Sequence, residues 1–216
     1  MYHTKKDKRS IRSCGLIYQA LRELLAEQPY ESISITQLVE RAQVGRATFY
    51  RNFDSIDDVL LRECDERFLR LGELMAGYIR KTAKASELHR LFLTYWYEDS
   101  DIIELLVQAR RYEFIVQANL RMLNLILERH KMHRVIPERY LDYLMVMESG
   151  MTTALLARWI ERGKDIPPEE MAKLLEQSAQ NLQEMHGKVM KRINQKEISS
   201  SVDGGTGVSS SSKSEV

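Results

Sequence analysis

Apolar residues recur at three- and four-residue steps along most of the chain, which predicts an all-α protein. The first stripe, Cys14, Ile17, Leu21, Leu24 and Leu25, predicts a helix from Ser10 to Glu27 that Gln28-Pro29-Tyr30 stops. Two short helices follow between Ser34 and Phe53. Leu38, Val39 and Ala42 form the apolar face of one; Phe49 and Phe53, four apart, form that of the other. Ser34 and Gln37 have the spacing of a capping box, and Gly45 can cap the second helix. Gln43, Val44 and Gly45 interrupt the pattern between them, with Val44 expected to point inward. Ile56, Leu60, Cys64, Phe68, Leu71, Met75 and Tyr78 then predict one long helix reaching about Lys81, with Asp54 or Ser55 as its cap. Further helices are predicted near 85–98, 101–109, 111–132, 138–162 and 168–195. Segment 141–159 carries Leu141, Leu144, Met145, Met147, Met151, Leu155, Leu156 and Trp159 around most of a helix, so burial on more than one side is expected.

With 44% hydrophobic and 29% charged residues, the 216-residue chain can bury a real core. Its formal net charge of +1 leaves no general attraction to polyanions, so any basic surface must be local. One local cluster is the arm before the first helix, where Lys5, Lys6, Lys8, Arg9 and Arg12 face a single acid, Asp7. Such an arm can reach phosphates or a minor groove. No apolar run reaches the roughly 18 residues of a membrane span. Cys14 and Cys64 lie in separate helical stripes, which suits a reduced, cytoplasmic chain with core thiols. Phosphate-binding glycine loops, paired-cysteine spacings, zinc helices and nucleophile elbows are all missing from the sequence. His130 and His133 are three apart without a third ligand near them in sequence. No catalytic residue, metal ligand or cofactor is therefore assigned, and the chain is not expected to be an enzyme.

The residues after Gly45 have the chemistry of a DNA-reading helix. Arg46 can fork onto a guanine or a phosphate, Ala47 lets the backbone approach, and Thr48 offers a hydroxyl and a methyl. Tyr50, Arg51 and Asn52 add a phenol, a charge and an amide. An ordinary helical hairpin with a solvated polar face fits the spacing equally well. The run Ala42-Gln43-Val44-Gly45, followed by Thr48, Phe49, Tyr50 and Phe53, resembles the DNA-binding domain of TetR-family transcriptional regulators over about residues 10–62. Two positions depart from the family pattern. Gln43 stands at the turn glycine, so the turn takes another conformation or holds a non-glycine residue at positive φ. Ile56 stands where the family usually has a lysine. The resemblance implies that Arg46, Ala47, Thr48, Tyr50, Arg51 and Asn52 contact double-stranded operator DNA, with Ser34, Thr36, Lys6 and Lys8 on its phosphates.

The second half carries no sharp motif. Phe92, Tyr95, Trp96, Phe114, Met122, Met145 and Met151 are residue types that line apolar pockets, though such residues at helical spacing also make plain cores. Glu148 is an acid in the most apolar helix and is expected in or beside such a pocket. Gly150, Ala154 and Ala157 are small enough for another helix to approach, and Leu175 and Leu182 lie on the stripe of the last helix. The resemblance implies that these last two long helices pair across a two-fold axis into a homodimer. It also implies a small-molecule effector that releases DNA; the same fold controlled by a protein partner is the alternative. The expected organisation is an arm at 1–9, a DNA-binding domain at 10–62, an effector and dimerisation domain at 63–198, and a serine-rich tail at 199–216 too polar to fold.

Overall fold

A computed structural model describes residues 2–3, 7–79, 85–130 and 138–178. The described residues are helical with no strand. The chain divides into two compact units, Met1–Ala172 and Lys173–Val216.

Helix α1 spans Lys8–Glu27, two residues earlier than the stripe predicts, because Asp7 caps it and accepts the Ser10 N–H at 2.8 Å. A single 3₁₀ turn at Tyr30–Ser32 follows Pro29. Helices α2 (Ile35–Arg41) and α3 (Arg46–Asn52) come next. They close over α1 through Ile17, Leu21, Leu24, Leu38, Phe49 and Phe53, all nearly or fully inaccessible. Phe49 and Phe53 rest 5.7 Å apart, so the two rings predicted from their spacing are the centre of this core.

Helix α4 (Ile56–Ile79) is 24 residues long, about 36 Å at the α-helical rise. Its first turn is held by a reciprocal cap. The Asp58 carboxylate accepts the N–H groups of Asp54 and Ser55, and Ser55 Oγ accepts the Asp58 N–H. α4 packs on α1 at its start and on α5 (Ala85–Glu98), α6 (Asp101–Gln108) and α7 (Tyr112–Arg129) beyond it. Gly72 brings α4 and α7 together: a Cβ there would lie 2.8 Å from Met122 Cγ. Helix α8 (Glu138–Glu161) lies on α7 and α6, and a further helix covers 168–178. No helix of the described residues is long and apolar enough to cross a membrane.

Helices α2, α6 and α8 end alike. Gln43, Arg110 and Gly163 each adopt a positive φ of 53°, 55° and 70°. In each case the next residue's N–H reaches back five residues, from Val44 to Val39, Arg111 to Leu106 and Lys164 to Trp159, as in a Schellman cap. Two of the three use a non-glycine residue, at a cost of about 1 kcal/mol or more each.

Helix α8 departs from expectation. Ser149, Thr153, Leu156, Ala157, Trp159 and Ile160 are buried, but Tyr140, Tyr143, Leu144, Val146, Met147 and Met151 are exposed. The helix is therefore buried along one face only by its own chain, which leaves the apolar opposite face uncovered.

Candidate nucleic-acid interface

The α2–α3 pair is built from its ends inward. Ser34 Oγ accepts the Gln37 N–H at 3.2 Å, and Gln37 Oε1 accepts the Ser34 N–H at 2.9 Å, the reciprocal pair that the sequence predicts. Gln43 takes the positive-φ conformation, the second of the two expected alternatives. Its N–H donates to Glu40 O at 3.1 Å. Gly45, extended at φ −71° and ψ 145°, then starts α3, and its carbonyl accepts the Thr48 N–H at 2.8 Å. Val44 is half-buried.

With Phe49 and Phe53 facing the core, helical geometry turns Arg46, Ala47, Tyr50 and Arg51 outward on one face, and all four are exposed. Thr48 is half-buried at the edge of that face. Ser34 and Thr36 are exposed at the start of α2. Lys8 is exposed too, but it is the first residue of α1 and not part of an arm. Lys6 lies outside the described residues.

Asn52 does not belong to the exposed group. Its side chain is fully inaccessible. Its amide donates to Thr48 O at 2.7 Å and its oxygen accepts the Ser10 hydroxyl. An amide so closed off from water cannot reach a phosphate without the surrounding packing opening. Asn52 is a strut between α3 and α1.

The sequence reading also missed the first residues of the chain. His3 N–H donates to the Asn52 carbonyl at 2.9 Å, and the His3 imidazole meets Asp54 at 3.0 Å. The Tyr2 hydroxyl donates to Asp65 of α4 at 2.6 Å. Arg121 of α7 donates to the same buried carboxylate through Nε at 2.8 Å. These partners are separated by about fifty to sixty residues, and no local pattern could have paired them. The one available signal was an acid beside Cys64 in an otherwise apolar stripe.

Polar contacts of α1 and α4 with α6 and its flanking residues join the first half of the chain to the second. Arg67, buried on α4, meets Glu63 at 3.2 Å, Asp99 at 2.7 Å and also Asp101. Tyr18 and Arg22 of α1 reach the same Asp101, each at 3.2 Å. Burial alone would raise the Asp101 carboxyl, but the bonds and charge of Arg67, with Arg22, hold it below its usual range. At the other end of α6, Gln108 donates to Leu25 O at 3.1 Å. Arg111 donates to Asp57 at 3.0 Å with its guanidinium 4.9 Å over the Tyr30 ring.

The expected pocket residues differ in burial. Phe92 and Trp96 are buried core, Trp96 lying 4.7 Å from Phe68 and 6.5 Å from Phe92. Met122 is packed against Gly72. The Tyr95 hydroxyl donates to Arg67 O at 3.1 Å. Phe114, Met145 and Glu148 are half-buried, whereas Met151, at 60% exposure, faces solvent and lines no interior site in this chain. Among the described residues, four buried polar atoms in the same helices nevertheless lack a hydrogen-bond partner: His89 Nδ1, Trp96 Nε1, Asn119 Oδ1 and Thr153 Oγ1. A groove of about 330 Å³ does open between α1 and α6, but it is polar and lined by Arg22, Glu23, Asp101, Glu104, Leu105 and Gln108. Of the expected dimer residues, Ala154 is exposed, and Gly150 and Leu175 are half-buried. Ala157 is 5% exposed and faces its own chain, so it is closed to a partner; Leu182 lies outside the described residues. Both cysteines are free and buried, and burial pushes the Cys64 thiol well up, as it raises that of Cys14. Such thiols are inert.

Residues 17–62 match the family described as bacterial regulatory proteins, tetR family. Residues 84–181 match a transcriptional regulator C-terminal region. The chain is 25% identical over 150 residues to the fatty acid metabolism regulator protein of Bacillus subtilis (strain 168), covering 69% of this chain and 72% of that protein. Among solved structures, Lin0861 from Listeria innocua shares the fold with a TM-score of 0.70 and 20% identity, over 83% of this chain and 96% of that one. The fatty acid degradation regulator FadR from Bacillus halodurans shares it with a TM-score of 0.52 and 17% identity, over 81% and 95%.

Proposed function

The chain belongs to the TetR family of bacterial regulatory proteins, and from that premise we propose a homodimeric repressor that a small amphipathic effector releases from a palindromic operator. The observation that carries the DNA-reading part is the outward face of α3, where Arg46, Ala47, Tyr50 and Arg51 stand together and exposed on a helix fixed at both ends. In a helix-turn-helix the second helix enters the major groove and its first residues meet base edges. Arg46, Ala47 and Thr48 therefore read bases, and Tyr50, Arg51, Ser34, Thr36 and Lys8 hold phosphates. Residues 10–62 are the DNA-binding domain in this reading, with α4 shared between it and the rest.

The exposed apolar face of α8 supports the dimer. Tyr143, Leu144, Met147 and Met151 in water are unfavourable in a lone chain and ordinary in an interface core. The unpartnered Trp96 Nε1, Asn119 Oδ1 and Thr153 Oγ1 support an effector with a polar head, since buried polar groups usually have partners. The fatty acid metabolism regulator among its relatives makes acyl compounds the first probes. The close packing of Phe92, Trp96 and Met122 favours the second reading, a regulator of the same fold governed by a protein partner. Fluorescence anisotropy with the gene's own upstream DNA tests the first claim; binding no tighter than to a scrambled duplex would sink it. Acyl compounds that leave operator binding unchanged would favour the protein-partner reading.

A further inference from the structure

We propose that Tyr2 and His3 are positioning residues for operator recognition: they clasp the C-terminal end of α3 to the middle of α4, and the angle of the reading helix depends on them. The inference rests on the reading of α3 as the DNA-contacting helix. It starts from the length of α3, which is seven residues and too short to hold its own shape. Its axis is set by what grips its two ends. The Schellman turn and Gly45 grip the first. At the second, the last carbonyls of a helix have no partner within it, and the final one, Asn52 O, accepts the His3 N–H. The Asn52 amide beneath it ties the last turn to Thr48 O and to Ser10 of α1.

The next residue back secures the clasp. Asp65 is 3% exposed, so its carboxylate depends on the donors that reach it. Those donors are the Tyr2 hydroxyl and the Arg121 guanidinium. A hydroxyl on a buried carboxylate is a strong, charge-assisted bond, and burial together with Asp65 pushes the Tyr2 phenol pKa up, so it stays protonated as a donor. The same carboxylate thus joins the chain's start, the long helix and α7. A shift of α7 against α4 changes the geometry at Asp65 and, through Tyr2 and His3, at the end of α3. This link runs independently of the Arg67 cluster, which holds α1.

The test compares the full chain with Tyr2→Phe, which keeps the ring, and with a variant lacking residues 2 and 3, which leaves Asp65 paired to Arg121. Affinity is measured on the upstream operator duplex and on a scrambled duplex across a salt series, and amide hydrogen exchange is followed over residues 46–53 without DNA. Tyr2→Phe is expected to bind operator roughly tenfold more weakly, the worth of one charge-assisted hydrogen bond, and the deletion at least as much, with scrambled binding and salt slope unchanged. Exchange in 46–53 is expected to accelerate. Equal losses on both duplexes with a shallower salt slope would make the segment a phosphate contact and overturn the clasp. Unchanged exchange in both variants would overturn it as well. A wild-type chain with no operator preference would instead defeat the functional reading, and the exchange measurement would still decide the clasp.

Discussion

Helices α3 and α8 both present side chains to water, and they present opposite kinds. α3 shows Arg46, Ala47, Tyr50 and Arg51. α8 shows Tyr140, Tyr143 at 71% exposure, Leu144, Val146, Met147 at 68% and Met151. A charged, hydrogen-bonding face stays comfortable in water and is complementary to a polyanion. An apolar face of several large residues does not, and suits a protein surface like itself. The two faces also differ in how they are supported. α3 is short and depends on its caps, the Asn52 strut and the first residues of the chain. α8 is 24 residues long and rests on α7 and α6. One surface is defined by orientation, the other by area.

The strongest way to break this contrast is to charge the apolar face. Ala154→Arg places a guanidinium beside Met147 and Met151, and an uncompensated buried charge costs about 3–5 kcal/mol. Sedimentation should show monomers. An unchanged dimer would mean that the interface lies elsewhere and that the apolar face has another partner. Asn52→Ala comes next. It leaves the Ser10 hydroxyl without its buried acceptor, at about 1–3 kcal/mol, while Thr48 O keeps its helical backbone donor. Chemical denaturation should show the loss while the dimer persists; a variant as stable as wild type would mean that water replaces the amide.

Arg46→Ala tests the polar face directly. It should lower discrimination at one operator position by about 1–3 kcal/mol and leave stability alone. Equal weakening on specific and scrambled DNA would make Arg46 a phosphate contact. The smallest effect is expected from Lys8→Ala, which should reduce the salt slope of DNA binding by roughly one unit with no change in sequence preference. Dimerisation through α8 should barely respond to the same salt series. A dimer that dissociates in moderate salt would mean charge, not apolar area, holds it.

The local chemistry of the helix-turn-helix could be read from sequence because its causes are local. A serine three residues before a glutamine caps a helix wherever it stands, and Phe49 and Phe53 share a face by helical geometry alone. The same periodicity brought out the boundaries of α4 to α8 within a few residues. The departure from the family's turn glycine left two conformations for Gln43, and the structure takes positive φ, with the bonds of Val44 to Val39 and of Gln43 to Glu40. Periodicity says which residues share a face and not what that face meets. Asn52 sits among polar neighbours in sequence, yet Ser10, forty-two residues away, closes over it. Ala154 and Ala157 are both small residues of one helix, and it is the placement of α8 within its own chain that exposes the first and buries the second. Tyr2, Asp65 and Arg121 carry no shared signal at all. A polar group's role depends on whether water reaches it and on which donor lies within 3 Å. Both are decided by segments far apart in the chain, when their packing brings them together.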